Sequence, residues 1–196
     1  NNTLRRRYRV WGDYEAELRS YLADAKRLSA ARGTPPRKMR FLGVFMKDLR
    51  YVNDTLKGVD GKPLSAVAVT PQATIEKWKA VIPRLKDFYF AFTAGEIELE
   101  CTTIVITNTV KAKMNKTQAY FHPKSNAEEL DKHLARFKGQ HFDTSFFFPG
   151  KPVATDGQSK ITGGPLGLSW TAWPLLGGRT ITCMDCSIDL CIHEWT

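Results

Sequence analysis

The spacing of apolar residues changes several times along the chain, and each change marks a predicted element. Between Trp11 and Ala31 the apolar residues recur every three or four positions with charged residues between them, which predicts a helix ending before Gly33. The segment Met39–Met46 is short, apolar and bulky, which predicts the first core strand. Leu64–Val69 predicts a short strand after a turn.

A second helix is predicted after Thr70 and Pro71, which supply a capping hydroxyl and a proline at the first helical position. Pro83 lies inside this helix, where it should produce a kink, and Gly95 ends it. The helix carries a wide apolar stripe made of Ile75, Trp78, Val81, Ile82, Leu85, Phe88 and Tyr89.

Strand signals dominate the second half of the chain. Glu96–Val110 alternates strictly at its start and is rich in β-branched residues, which predicts one long strand. Phe142–Phe148 predicts a buried strand, and residues 150–164 predict a surface loop. Leu166–Leu176 predicts a further strand, which Gly167 and Pro174 place at a sheet edge.

Two more helices are predicted from capping signals. Ser125–Glu128 has the pattern of a capping box, and it precedes a short helix that stops at Gly139. That helix carries the apolar residues Leu130, Leu134 and Phe137. Asp185 or Ser187 can cap a last helix with an apolar face. The order of elements predicts an α+β fold.

The positive charge of the chain is concentrated near its beginning. The net charge is +9, with 13 Lys and Arg against 5 Asp and Glu in residues 1–50 and 16 against 15 in the rest. We therefore expect a basic, helical N-terminal arm over residues 1–36 and one domain over residues 37–196. Such an arm can bind nucleic acid, but a solvated flank is the commoner explanation. The chain contains no apolar run long enough to predict a membrane span.

Cysteines and glycosylation sequons favour an oxidising compartment. The four cysteines are Cys101, Cys183, Cys186 and Cys191, and N-x-[ST] sequons occur at Asn1, Asn53 and Asn115. No intact signal peptide is recognised, which decides little, because a mature or truncated secreted protein would look the same. We expect a secreted or extracytoplasmic protein.

The last four residues contain a motif that predicts a chemical function. His193-Glu194-Trp195-Thr196 matches the first four positions of H-E-x-x-H, in which two histidines one helical turn apart bind one zinc ion. The second histidine would follow Thr196. Zinc held in this way lowers the pKa of a bound water to about 7, and the glutamate after the first histidine serves as general base. The motif predicts His193 as a zinc ligand and Glu194 as the catalytic base.

From about Met39 onward the chain resembles the upper, N-terminal subdomain of the zincin metallopeptidases. The segments that carry this resemblance are residues 75–89, 97–110, 142–148 and 166–173 together with His193 and Glu194. The resemblance implies an endopeptidase-like enzyme that is part of a longer chain, with this piece alone inactive. It also implies that a peptide or protein substrate pairs with an edge strand containing Leu168, Ser169, Trp170 and Thr171.

Three alternatives stay open at this point. The edge strand can be an ordinary strand without substrate, and the His193-Glu194 pair can be incidental in a noncatalytic domain whose basic arm binds an anionic partner such as nucleic acid. The spacing of Cys183, Cys186 and Cys191 before His193 also allows a structural zinc site, although a disulfide or buried thiols are commoner. The other histidines are expected to lie on the surface or to be satisfied by neighbours.

Overall fold

A computed structural model describes residues 11–163, 167–170, 178–184, 186 and 191. Helices and strands both contribute, and the α+β class predicted from the sequence is confirmed. The helices are α1 (Trp11–Arg32), α2 (Gln72–Lys79), α3 (Val81–Phe92) and α4 (Ala127–Leu134). The strands are β1 (Arg37–Met46), β2 (Asp48–Lys57), β3 (Pro63–Val69), β4 (Ile97–Ile106), β5 (Val110–Lys113), β6 (Gln118–Ala119), β7 (Thr144–Phe148), β8 (Val153–Ala154), β9 (Thr162–Gly163), β10 (Gly167–Trp170) and β11 (Arg179–Cys183).

The chain forms two compact units. The first consists of the described part of Asn1–Met39 together with Ile82–Glu100, and the second consists of Arg40–Val81 together with the described part of Cys101–Thr196. Within the first unit the guanidinium of Arg32, the last residue of α1, donates to the carbonyl oxygens of Ala94 at 3.0 Å and Gly95 at 3.1 Å. These bonds tie the end of α1 to the turn that follows α3. The predicted division at residue 36 stays a prediction.

The prediction of one kinked helix was wrong, because the segment forms two helices with the break at Ala80, three residues before Pro83. α2 ends before Ala80, and Pro83 lies in the first turn of α3, where a missing N–H group costs no helical hydrogen bond. The predicted cap was wrong as well. Pro71 is itself the N-cap of α2, and the Thr70 hydroxyl is buried without a hydrogen-bond partner among the described residues.

A five-stranded mixed sheet has the order β10-β11-β7-β1-β4. Strands β1, β7 and β11 are parallel to one another, and β10 is antiparallel to β11. The middle strands β1 and β7 agree with the predicted apolar segments, and residues 41–46 and 144–148 are all buried. Strands buried on both faces have continuous apolar sequences. Strand β11 was not predicted.

A four-stranded sheet has the order β5-β2-β3-β8. Strand β2 was not predicted. The strand predicted over Glu96–Val110 is β4, which ends at Ile106 in the five-stranded sheet; after a division at residues 107–109, Val110 begins β5 in this sheet. Polar residues at the division let the chain leave one sheet and enter the other. Short strands β8 and β9 also lie in the region predicted to be only a loop.

Helix α4 begins one residue later than the capping box requires. Asn126 is the N-cap and makes no capping hydrogen bond, because its side chain is used elsewhere. Its Oδ1 accepts from the backbone N–H of Lys113 at 3.1 Å, and its Nδ2 donates to the carbonyl oxygen of His122 at 2.8 Å. The apolar residues predicted for this region, Leu130, Leu134 and Phe137, are buried as expected.

Candidate functional site

Strand β10 is the predicted edge strand, and its position is confirmed. It lies at the end of the five-stranded sheet and pairs along one side with β11, with Leu168 opposite Thr182, Ser169 opposite Ile181 and Trp170 opposite Thr180. Among the described strands none pairs with its other side. An edge strand presents backbone N–H and C=O groups that an extended peptide can pair with. The fourth predicted residue, Thr171, lies outside the described residues.

The segment that follows β11 is attached to the core through cysteines. Cys183 at the end of β11, Cys186 and Cys191 are all buried. The Sγ of Cys186 donates to the carbonyl oxygen of Trp78 in α2 at 3.5 Å, and Trp78 in turn packs against Phe45 of β1. The chain is therefore anchored to α2 shortly before it reaches the predicted zinc motif. His193 and Glu194 themselves lie outside the described residues.

No metal site is formed within the part of the chain that the structure describes. No three His, Cys, Asp or Glu side chains there are arranged to hold a metal ion. The alternative of a structural zinc site required Cys183, Cys186 and Cys191, which are all described and buried but do not form such a group. That alternative receives no support. The predicted site built on His193 is not addressed by these residues.

The other histidines have local partners, as the sequence predicted. His133 lies 3.8 Å from Glu129, and His141 lies 4.0 Å from Asp143. His122 accepts a hydrogen bond from the backbone N–H of Ser125 at 3.3 Å. These contacts are local and do not bring two histidines together.

The Asn53 side chain, which begins one of the sequons, is buried and hydrogen-bonded within the protein. Asn53 is 8% exposed, its Nδ2 donates to the carbonyl oxygen of Lys116 at 2.8 Å, and its Oδ1 accepts from the N–H groups of Thr55 and Leu56 at 2.9 and 3.0 Å. The sequon at Asn115 is exposed. The count of sequons that favoured an oxidising compartment therefore includes one buried asparagine.

A cavity of about 280 Å³ lies in the first unit. Its lining combines apolar side chains with charges of both signs, namely Leu22, Lys26, Lys86, Asp87, Phe90, Glu98 and Leu99. None of the residues predicted to be functional lines this cavity. With two lysines facing two carboxylates, its charges balance and favour no single charged ligand.

A group of buried hydroxyls near β10 was not anticipated from the sequence. Ser145 on β7 and Thr180 and Thr182 on β11 are at most 3% exposed, and their hydroxyl oxygens have no hydrogen-bond partner in the described structure. The signal that could have revealed them is the run Arg-Thr-Ile-Thr-Cys, in which threonines alternate with apolar residues.

Comparisons of the chain with known protein families, with curated proteins and with solved structures found no match. None of the described helices is long and apolar enough to cross a membrane. The functional interpretation therefore depends on the residues and the sheet geometry.

Proposed function

We propose that this chain is the upper part of a zinc-dependent peptidase, in which His193 binds the metal, Glu194 is the general base and β10 binds the substrate. The observation that carries the proposal is the position of β10 as an antiparallel edge strand on an otherwise parallel group of strands. The same stretch of chain continues through β11 and the buried Cys186 to the His193-Glu194 pair.

The substrate class follows from the edge strand. Backbone pairing with Leu168, Ser169 and Trp170 recognises an extended peptide without regard to most of its side chains. A folded protein rarely offers such a segment, so the substrate is an unstructured peptide or an exposed protein loop. Thr171 would extend the same pairing.

The chemistry is hydrolysis of a peptide bond. Bound zinc would supply an activated water and polarise the scissile carbonyl group. Glu194 would take the proton from that water and pass it to the leaving amine, a role that requires a carboxylate directly after the ligand His193. We infer that the second ligand follows Thr196, one helical turn after His193.

Zinc binding by the full-length protein tests the ligand. We expect the purified protein to contain one zinc ion per chain by mass spectrometry of the metal, and His193→Ala to lose it. His141→Ala is the matched control, because His141 is exposed and close to Asp143. Equal zinc content in the wild type and His193→Ala would refute the assignment.

Peptide cleavage tests the base separately from the metal. We expect Glu194→Gln to keep zinc but to lower kcat by at least about 10²-fold on an unfolded protein substrate, since removal of general base catalysis has effects of that size. Full activity in this variant would show that Glu194 is not the base. The parent reading frame offers a simpler check, because the residue after Thr196 should be histidine.

The alternative of a noncatalytic domain with a basic arm gains no support from α1. This helix contains four acidic and four basic residues, so it adds no net charge to the arm. The surplus lies in Arg5, Arg6, Arg7 and Arg9, which are outside the described residues. If the arm binds nucleic acid, affinity should fall steeply with salt and should survive His193→Ala.

A further inference from the structure

The buried hydroxyls of Ser145, Thr180 and Thr182 form a polar group inside an apolar core. Their residues are 0, 3 and 0% exposed, and their hydroxyl oxygens have no hydrogen-bond partner in the described structure. A buried hydroxyl without a partner destabilises the folded state relative to one that is hydrogen-bonded. Because buried polar groups in proteins are nearly always hydrogen-bonded, three such groups in one small region indicate a partner that they share.

The strand register places the three hydroxyls together. Thr180 of β11 lies directly opposite Ser145 of β7, and Thr182 lies two residues further along β11, opposite Phe147. Because side chains alternate between the faces of a strand, all three project from the same face of the sheet. Neighbouring strands are about 4.8 Å apart, a spacing that two hydrogen bonds of about 2.8 Å through one water can bridge.

The described cross-strand neighbours of these residues on β1 are apolar. On the same face, Leu42 lies opposite Ser145 and Val44 lies opposite Phe147, and all three of these apolar residues belong to the buried core cluster. The Tyr120 hydroxyl donates to the backbone oxygen of Thr182 at 3.1 Å, and not to its side chain. The candidate hydrogen-bond partners of the three hydroxyls are therefore one another and a small polar ligand.

We propose that Ser145, Thr180 and Thr182 form an internal water-binding site between β7 and β11. A buried water makes about three hydrogen bonds to protein groups that otherwise lack partners, and these hydroxyls supply that number. The water links side chains of β11 and β7, in addition to the backbone hydrogen bonds between the two strands. Among the described strands, β11 joins edge strand β10 to the rest of the sheet, so the site supports the strand next to the proposed substrate edge.

A high-resolution crystal structure of the unaltered protein decides the proposal directly. We expect one ordered water within hydrogen-bond distance of at least two of the three hydroxyls. A direct hydrogen bond between Ser145 and Thr180, or a dry site, would overturn it. This outcome is independent of zinc and of peptidase activity, so it stands apart from the proposed function.

Denaturation of three near-isosteric variants gives the energetic test. Ser145→Ala, Thr180→Val and Thr182→Val should each raise the unfolding equilibrium constant about 5- to 10-fold, as expected for the loss of one hydrogen bond to a bound water. The double variant Ser145→Ala/Thr180→Val should cost less than the sum of the two, because the first change already releases the water. Thr103→Val on the exposed surface of β4 is the control and should change the constant less than 2-fold. Variants that equal or exceed the wild type in stability would contradict the site.

Discussion

The two larger sheets of this protein are stabilised in different ways. In the five-stranded sheet the middle strands β1 and β7 are buried on both faces, and their aromatic side chains pack on one another, with Phe45 and Phe148 5.0 Å apart between ring centroids. In the four-stranded sheet β2 alternates between buried and exposed residues, and Val69 and Val153 are 66% and 61% exposed on its outer face.

The ends of the two sheets differ less than their cores. The four-stranded sheet has side chain to backbone hydrogen bonds at its ends, made by Asn53 and, in the loop after β8, by Asp156. The five-stranded sheet has such a bond too, because Asp143 Oδ2 accepts from the backbone N–H of Arg40 at 2.7 Å, and it also has a close backbone approach at Gly178 before β11. We conclude that polar contacts lie at the ends of both sheets, and that the five-stranded sheet differs in its aromatic core and its close backbone approach. Four substitutions test this comparison.

Phe45→Ala should have the largest effect. Phe45 is fully buried between Phe148 and Trp78, with ring centroids 5.0 and 6.3 Å away, so truncation leaves a cavity that the sheet cannot close. We expect a loss of about 3–5 kcal/mol in the free energy of unfolding, measured by chemical denaturation. Val69→Ala on the exposed face of the four-stranded sheet should cost about 0.5 kcal/mol or less. Similar losses in both variants would remove the distinction between the sheets.

Gly178→Ala should rank second. Gly178 has φ +60°, and a Cβ atom there would overlap the carbonyl oxygens of Phe142 and Asp143. We expect a loss of about 2–4 kcal/mol, combining left-handed strain with displacement of β11 from β7. Gly139→Ala is the matched control, because Gly139 has φ +82° but no neighbour within 4 Å of the added atom. Gly139→Ala should lose about 1 kcal/mol in the free energy of unfolding, which is the cost of the left-handed backbone alone.

Asn53→Ala should destabilise the four-stranded sheet by about 1–3 kcal/mol, because it leaves the Lys116 carbonyl oxygen and the N–H groups of Thr55 and Leu56 without their partner. Thermal and urea denaturation would measure the change. Asn115→Ala, at an exposed position with the same sequon pattern, should be nearly neutral. If the two variants were equally stable, the hydrogen bonds of Asn53 would contribute little.

Asp156→Asn should have the smallest effect, a small loss of stability above about pH 4 that shrinks as the pH falls toward 2. The Ser159 hydroxyl, and then the N–H groups of Ser159 and Gln158, donate to Asp156 and lower its pKa to about 2. A lowered pKa in the folded state gives stability that is present above about pH 4 and is lost as the pH falls toward 2. The wild type should lose more stability over this interval than Asp156→Asn does. Asp54→Asn, at an exposed position on β2, should follow the wild type, as urea midpoints from pH 5 to pH 2 would show.

The same contrast explains what the sequence could predict. Strands β1 and β7 were found because strands buried on both faces are continuous apolar segments. Strand β2 was missed because it buries Asn53 in place of an apolar residue and exposes Val52, which obscures the alternation. Strand β11 was missed because its buried positions include Thr180 and Thr182, which are normally polar surface residues.

The candidate site was predictable to a different extent. Gly167 marked the edge strand correctly, because glycine is tolerated where one side of a strand is unpaired, whereas Pro174 lies outside the described residues. The position of Ser145 opposite Thr180 could not be predicted, since it follows from the register of β7 against β11. For His193 and Glu194 the prediction continues to depend on the spacing of the motif.

The pairing of β1 with β7 also determines how the chain must fold in time. Phe41 lies opposite Thr144, so the two central strands come from positions about a hundred residues apart. Folding rates fall as the mean sequence separation of native contacts rises. During synthesis β1 therefore emerges long before its partner, and its apolar segment stays exposed meanwhile. We expect slow refolding that competes with aggregation, and better recovery at low protein concentration or with a chaperone that shields apolar strands.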